Sequence, residues 1–342
     1  MYINYMARGF IFSLARAPPK VKFKALKWAP SADTLRTLQS QSPLRPKWDY
    51  IFNVTEKRVS VKETTMNKIS DERKKQILSM LVEGSSIRSI ERITNTHRDT
   101  IIRLMVTIGN GCQNLLDSKM RDFHSKYLQA DEIWTFVKKK QRRLKKVEKR
   151  NRKIGDQYVF VALDAESKLI PLFTVGKRNS KTTRRFIVQL KRRLNGNGRV
   201  QITTDSYNPY EHAIEKSFGA DIDYAQQTKF YSSDPADEGR YSPPQVSGMV
   251  SKKMQGKPDE KHISTSYVER HNLTMRMQMR RFTRLTNAFS KKLENLKACL
   301  ALYFAYYNFI RIHNTIKMTP AMQAEITGHI WTWDEILAYE AN

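Results

Sequence analysis

The chain has 342 residues, 40% of them hydrophobic, enough for two or three domains with real cores. Lys and Arg number 61 against 33 Asp and Glu; a net charge of +28 calls for a polyanionic partner, nucleic acid first and an anionic membrane surface second. No apolar run is long enough to span a bilayer, and the two cysteines, Cys112 and Cys299, lack the spacing of a zinc site or disulfide framework and fit a reducing cytoplasm.

Residues 1–65 hold scattered prolines, no acid before Asp33 and no periodic apolar face. They read as a disordered extension, or as sequence upstream of a true start at Met66. The basic, acid-free beginning is also faintly like a transit peptide, while Arg8 and Arg16 interrupt any signal peptide. Order is expected from Ser70, which caps a helix carrying Ile77, Leu78, Leu81 and Val82 at helical spacing. Gly84-Ser85-Ser86 ends it. Ile87, Ile90 and Ile93 give a short second helix, and Thr94-Asn95-Thr96 a turn. His97 to Ile108 gives a third helix. The order predicts a helix-turn-helix domain over 66–122, with Arg98, Thr100 and Arg103 facing DNA. A plain three-helix bundle has the same periodicity; the net charge favours the first reading.

Leu115 to Phe123 reads as a connecting helix. Tyr127 to Val137 reads as a strand with Asp131 inside it, and a carboxylate there costs burial energy unless something pairs with it. Lys138 to Lys153 has eleven Lys or Arg and one Glu. It is expected to be a mobile β-hairpin loop or arm. Either it is simply solvated, or Arg142, Arg143, Lys145 and Lys146 touch phosphates. The apolar run Tyr158 to Leu163 predicts a central strand covered on both faces. Lys168 to Val175 is the next strand, placed at the sheet edge by Pro171.

Ser180 is expected to cap a helix through Phe186, Ile187 and Leu190. Val200 to Thr204 then forms a short strand, Asp205 stands at its end, and Pro209 opens the following helix. An acid at the carboxyl end of a strand lies where α/β sheets place ligands, although most such acids are turn formers or caps. A last strand falls near Ile222 to Ala225. Thr228 to Ile263 reads as a loop over the site. From Ser264 a basic helix carries Glu269, and a later helix carries Leu293, Leu296, Leu300, Tyr303, Tyr307 and Ile310.

Three strands, a helix, a strand, a helix and a strand, with acids on the first and fourth strands, resembles the ribonuclease-H-like fold. The expected architecture is an α/β domain over 123–342 with a mixed five-stranded sheet, flanking helices and a helical carboxyl-terminal part. That fold makes the first and fourth strands neighbours and brings Asp131 beside Asp205. Glu269 is the third acid. Asp, Asp and Glu offer the hard oxygen ligands suited to two magnesium ions. Glu269 has a competing reading, because Ser266-Tyr-Val-Glu269 fits a capping box.

The blocks ADEIWTF around Asp131, TTDSYNPY around Asp205, and SYVERHNLTMRMQMRRFTRLTNAFSKKLEN from Ser266 carry a closer likeness, continued by YYNFIRIHNT and TPAM. The chain resembles a DDE transposase of the IS-one insertion-sequence family from about Met66 to Trp333. It departs from that family in having no amino-terminal cysteine zinc finger. The resemblance implies that Asp131, Asp205 and Glu269 bind two Mg2+ ions, with Mn2+ an alternative, and that DNA is cleaved and its 3′-hydroxyl joined to a target. It implies that Arg276 contacts a terminal phosphate, with Arg270, Arg280, Arg281 and Arg284 along the same groove, and that His271 and His313 either tune the site or serve as structural hydrogen-bonders. It implies duplex DNA, both element ends and target, as the partner, a homo-oligomer on that DNA, no membrane, and a cytoplasmic place at the bacterial nucleoid. A nuclease of the same fold and an inactive, domesticated DNA-binding regulator are the rival readings.

Overall fold

The computed structural model describes residues 69–196, 198–232, 245–283 and 286–339. All of them lie in one compact unit, Thr65–Asn342. The readings of residues 1–65 and of Arg284 fall outside the described residues.

Six strands form one mixed sheet in the order β3-β2-β1-β4-β5-β6. They are β1 (Tyr127–Val137), β2 (Gly155–Asp164), β3 (Leu172–Gly176), β4 (Val200–Thr204), β5 (Ile222–Ser232) and β6 (Gln245–Gln255). β2 runs antiparallel to both β1 and β3, whereas β4 runs parallel to β1 and β5. The first five strands have the ribonuclease-H-like order, with β1 beside β4 and β3 at the edge. The sixth is a correction. β6 lies inside the stretch read as a loop, and pairs antiparallel with a β5 longer than expected. Val246, Met249 and Val250 are exposed and only Met254, near the end of β6, packs on the core, so no periodic buried face marks it in the sequence.

The central strand reads as its composition predicts. Val159, Val161 and Leu163 of β2 enter one core, and Phe160 and Ala162 the other. Helices α4 (Ser180–Lys191) and α5 (Pro209–Phe218) cover the second core with Phe186, Ile187, Leu190, Ala213 and Ile214. Asn179, not Ser180, caps α4, its side chain accepting from Thr182 N at 3.0 Å.

The opposite face is covered by helices on both sides of the sheet in sequence. Ser70 caps α1 (Asp71–Val82), Ser86 caps α2 (Ile87–Thr94), and Asn95 in the left-handed region closes α2. The expected third and connecting helices are a single helix, α3 (Arg98–Lys119). Gly109 lies in its middle, where a Cβ would meet the Ala298 carbonyl oxygen at 2.3 Å. This glycine admits a close crossing with α7 (Leu293–Ala305) and does not break the helix. Ile77, Ile90 and Ile101 therefore share one core with Leu300 and Phe304. Beyond α7, Asn308 holds the approach to β3, accepting from Ile170 N at 3.1 Å and donating to Ile170 O at 2.9 Å.

The basic arm is the loop of a β-hairpin, as expected, joining the antiparallel strands β1 and β2. It forms two short 3-10 turns, Gln141–Arg143 and Glu148–Arg150. The lone acid organises it: Glu148 accepts from Lys139 Nζ at 2.9 Å and from Lys145 N at 3.0 Å.

Candidate active site

Strand alternation divides the acids of β1. Gln129, Asp131 and Ile133 point toward α3, α6 (Ser266–Gln278) and α7; Leu128, Ala130 and Glu132 point toward α4 and α5. The β1–β4 pairing ends at Ala130 opposite Thr204. Asp131 and Asp205 are the next residues on the two strands, so a crevice opens between them where β4 stops.

Asp131 Oδ1 accepts from Glu132 N and Oδ2 from Asn272 Nδ2 of α6, both at 2.8 Å. Asp205 Oδ1 accepts from Tyr207 N at 3.1 Å, which fixes the turn into α5. Arg178 follows β3 and closes the other side. Its Nη2 is 3.5 Å from Asp205 Oδ2, its Nε 3.9 Å from Glu132 Oε2, and its guanidinium lies 3.8 Å from the Tyr207 ring centroid. Carboxylate oxygens of Asp131, Glu132 and Asp205 all lie within 4.8 Å of one another.

Glu269 stands in the first turn of α6. Its Oε1 accepts from Thr265 Oγ1 at 2.7 Å, and its Oε2 is ion-paired with Lys229 of β5. Its charge reaches the other acids, raising both Asp131 and Asp205. Burial is the larger cause in each case. It pushes Asp131 up to about 6, assisted by the charges of Asp205 and Glu269. Burial also pushes Glu132 up to about 8, assisted by Asp205 and Asp131 and opposed by Arg178. Three carboxylates thus crowd the site beside Arg178, while Glu269 lies outside that cluster, held by Thr265 and Lys229. Uncompensated oxygen donors of this kind suit a hard divalent cation.

Most of the expected DNA-contacting residues are exposed. Arg98 and Arg103 are exposed at the start of α3, with Thr100 half-buried between them and 3.4 Å from Arg103 Nη2. Arg142, Arg143, Lys145 and Lys146 are exposed on the arm. On and after α6, Arg270 and Arg280 are exposed and Arg276 is half-buried. Arg281 donates to Ser290 Oγ at 2.9 Å and contacts the Met105 sulfur, tying the end of α6 to α3. His271 is buried among Tyr303, Phe304 and Tyr307; burial, then Arg311 and His313, hold it down at about 3, so it is neutral. His313 is half-buried, its Nδ1 accepting from Thr315 N at 3.4 Å.

Glu132, Arg178, Lys229 and Asn272 were missed by the sequence reading. Only Glu132 carries a local signal, as a second acid in succession on an apolar strand.

A family model for a DDE domain, DDE_Tnp_IS240, matches residues 146–233, a span that contains Asp205 but neither Asp131 nor Glu269. No curated protein matches the chain. Among solved structures, it is similar at 14% identity to a chain of the simian T-cell lymphotropic virus intasome in complex with PP2A regulatory subunit B56 gamma. That alignment covers 60% of this chain and 58% of the other, with a TM-score of 0.34. It is similar at 12% identity to a chain of a pre-cleavage Mos1 transpososome, covering 46% of this chain and 60% of the other, with a TM-score of 0.20. The chain thus spans less than two thirds of either structure's chain. The matched domain supports a DDE transposase, without singling out the IS-one family.

Proposed function

We propose that this chain is a DNA transposase that binds the ends of an insertion element, cleaves DNA there and joins the 3′-hydroxyl ends to target DNA. One observation carries the reading: Asp131 and Asp205 stand side by side where β4 ends, and the helix that carries Glu269, α6, reaches them through Asn272, which donates to Asp131 at 2.8 Å. Asp131, Asp205 and Glu269 would hold the divalent ions, magnesium or manganese. Such ions supply charge stabilisation for the attacking and leaving oxygens of an in-line phosphoryl displacement. The protein's own work is positional. Asn272 fixes the Asp131 carboxylate, the Tyr207 amide fixes Asp205, and Thr265 fixes Glu269.

Duplex DNA is the partner in this reading, with two copies of the chain or more assembled on it. The first turns of α3, with Arg98, Thr100 and Arg103, would dock in a groove. The arm, Arg270 and Arg276 of α6, and Arg280 just after it would meet phosphates, with Arg281 beside them.

Asp205→Asn is the direct test. Asn is nearly isosteric but lacks the charge a metal ligand needs. The variant should melt like the wild type and bind DNA with unchanged affinity, yet give no magnesium-dependent cleavage or joining of labelled element ends. Appreciable joining by the pure variant removes Asp205 from the site. Joining of pre-cut ends by the wild type separates a transposase from a nuclease of the same fold. No metal-dependent chemistry at all would favour an inert DNA-binding regulator.

A further inference from the structure

We propose that Glu132 is a fourth carboxylate ligand of this divalent-metal site, reaching it from the opposite face of β1. The inference rests on the metal-binding reading given above. Neighbouring strand residues ordinarily serve opposite faces of a sheet. Here the sheet is interrupted: β1 continues past Ala130 paired with β2, Glu132 lying opposite Phe160, but β4 has already ended at Thr204. Both faces of β1 therefore meet in the crevice. That is why Glu132, one methylene longer than Asp131, brings an oxygen within 4.8 Å of both Asp131 and Asp205.

The Glu132 side chain is 2% exposed, and its Oε1 is buried without a hydrogen-bond partner. Its nearest cation is Arg178, at 3.9 Å from Oε2. A carboxylate buried for structural reasons looks different in this same protein. Asp164 is equally enclosed, but accepts from Ser125 Oγ, Ser167 N and Ser167 Oγ, so both its oxygens are satisfied. Glu132 has no such cradle: beside it stand two further acids and the Tyr210 hydroxyl, near enough to favour its charged form but not in hydrogen-bond geometry with it. A hard divalent cation accepting oxygen donors, Mg2+ or Mn2+, is the partner this arrangement lacks.

The test is Mn2+ titration of the full-length chain without DNA, read by calorimetry, with melting curves in chelator and in Mn2+. Glu132→Gln should lose at least about tenfold in Mn2+ affinity, as Asp205→Asn should, and most of the metal-induced rise in melting temperature. In chelator, Glu132→Gln should melt at or above the wild type, because a near-isosteric neutral amide replaces a buried carboxyl whose Oε1 has no hydrogen-bond partner. Arg178→Ala should bind Mn2+ at least as tightly as the wild type. Wild-type affinity in Glu132→Gln, with Asp205→Asn weakened, overturns the role of Glu132 and leaves the site standing. Wild-type affinity in both variants overturns the metal site itself. Equal weakening by Arg178→Ala and Glu132→Gln makes Glu132 an anchor for Arg178 and also overturns the proposal. If Glu132→Gln does not fold, Glu132→Asp keeps the charge but shortens its reach. It must still lose about tenfold, and wild-type affinity there counts against Glu132 equally.

Discussion

At Glu269 two roles compete for one carboxylate. The spacing Ser266-Tyr-Val-Glu269 suits a capping box, in which the glutamate returns to the backbone N–H of the cap residue. The structure starts the helix one residue earlier, with Thr265 as the cap residue and Glu269 N donating to Thr265 O. The glutamate side chain instead takes the Thr265 hydroxyl on one oxygen and Lys229 on the other. Capping does not need its charge; a metal ligand does. Glu269→Gln should therefore melt within a few degrees of the wild type and show no strand transfer at any magnesium concentration. Near-normal transfer would return Glu269 to a purely structural role. The three acids of the proposed site were legible in the sequence because each sits in an unusual place: inside a strand, at a strand's end, at a helix start. Their helpers were not. Arg178, Lys229 and Asn272 are ordinary polar residues locally, and only the fold brings them to the acids.

The element that presents Glu269 is held by a side chain far away in sequence. Gln129 of β1, buried beside Asp131, accepts from Tyr267 N at 2.9 Å and Val268 N at 3.0 Å with one oxygen. These are donors of the first helical turn, which have no partner within the helix. Gln129→Leu should lower stability by about 2 kcal/mol in denaturant titration, the cost of leaving buried donors unpaired. It should reduce strand transfer more than that loss explains, because Glu269 loses its fixed approach; proportional losses would mean that other contacts set the helix. The basic arm is a second element tied by one group. Glu148 is held down at about 2, first by the Lys145 backbone N–H and then by Lys139. Its folded value lies below its ordinary 4.5, so its contribution is complete above about pH 4.5 and is lost as pH falls through about 2. Hydrogen-exchange protection of the Lys145 amide should disappear across that window, and at neutral pH in Glu148→Ala; protection that persists in the variant would place the tie elsewhere. Elements with a buried face were readable: α1, β2, α4 and α7 follow from apolar spacing. β6 has exposed side chains on both faces, and the arm is organised by one acid among eleven cations, so neither leaves a periodic trace.

Across the whole molecule the +28 charge is a statement about partners rather than fold, because so many of its cations stand at the surface without acids beside them. Among the described residues no helix is long and apolar enough to cross a membrane. In the arm, Lys138 and Lys139 pair with Glu148, while Arg142, Arg143, Lys145 and Lys146 are exposed and in ion pairs with no described residue. These four are among the side chains free to replace counterions on DNA. Each phosphate neutralised contributes about −0.9 to the slope of log K against log salt on duplex DNA. Replacing all four with Ala should make that slope shallower by up to about 3.6 while leaving preference among DNA sequences unchanged. Lys181, Arg184, Arg185 and Arg192, exposed on and just after α4, supply the control, since their replacement lowers the net charge by the same four. An arm that touches phosphates flattens the slope more than this control does. Equal flattening by both sets would reduce the effect to net charge, and an unchanged slope in the arm variant would remove the arm from the DNA interface altogether.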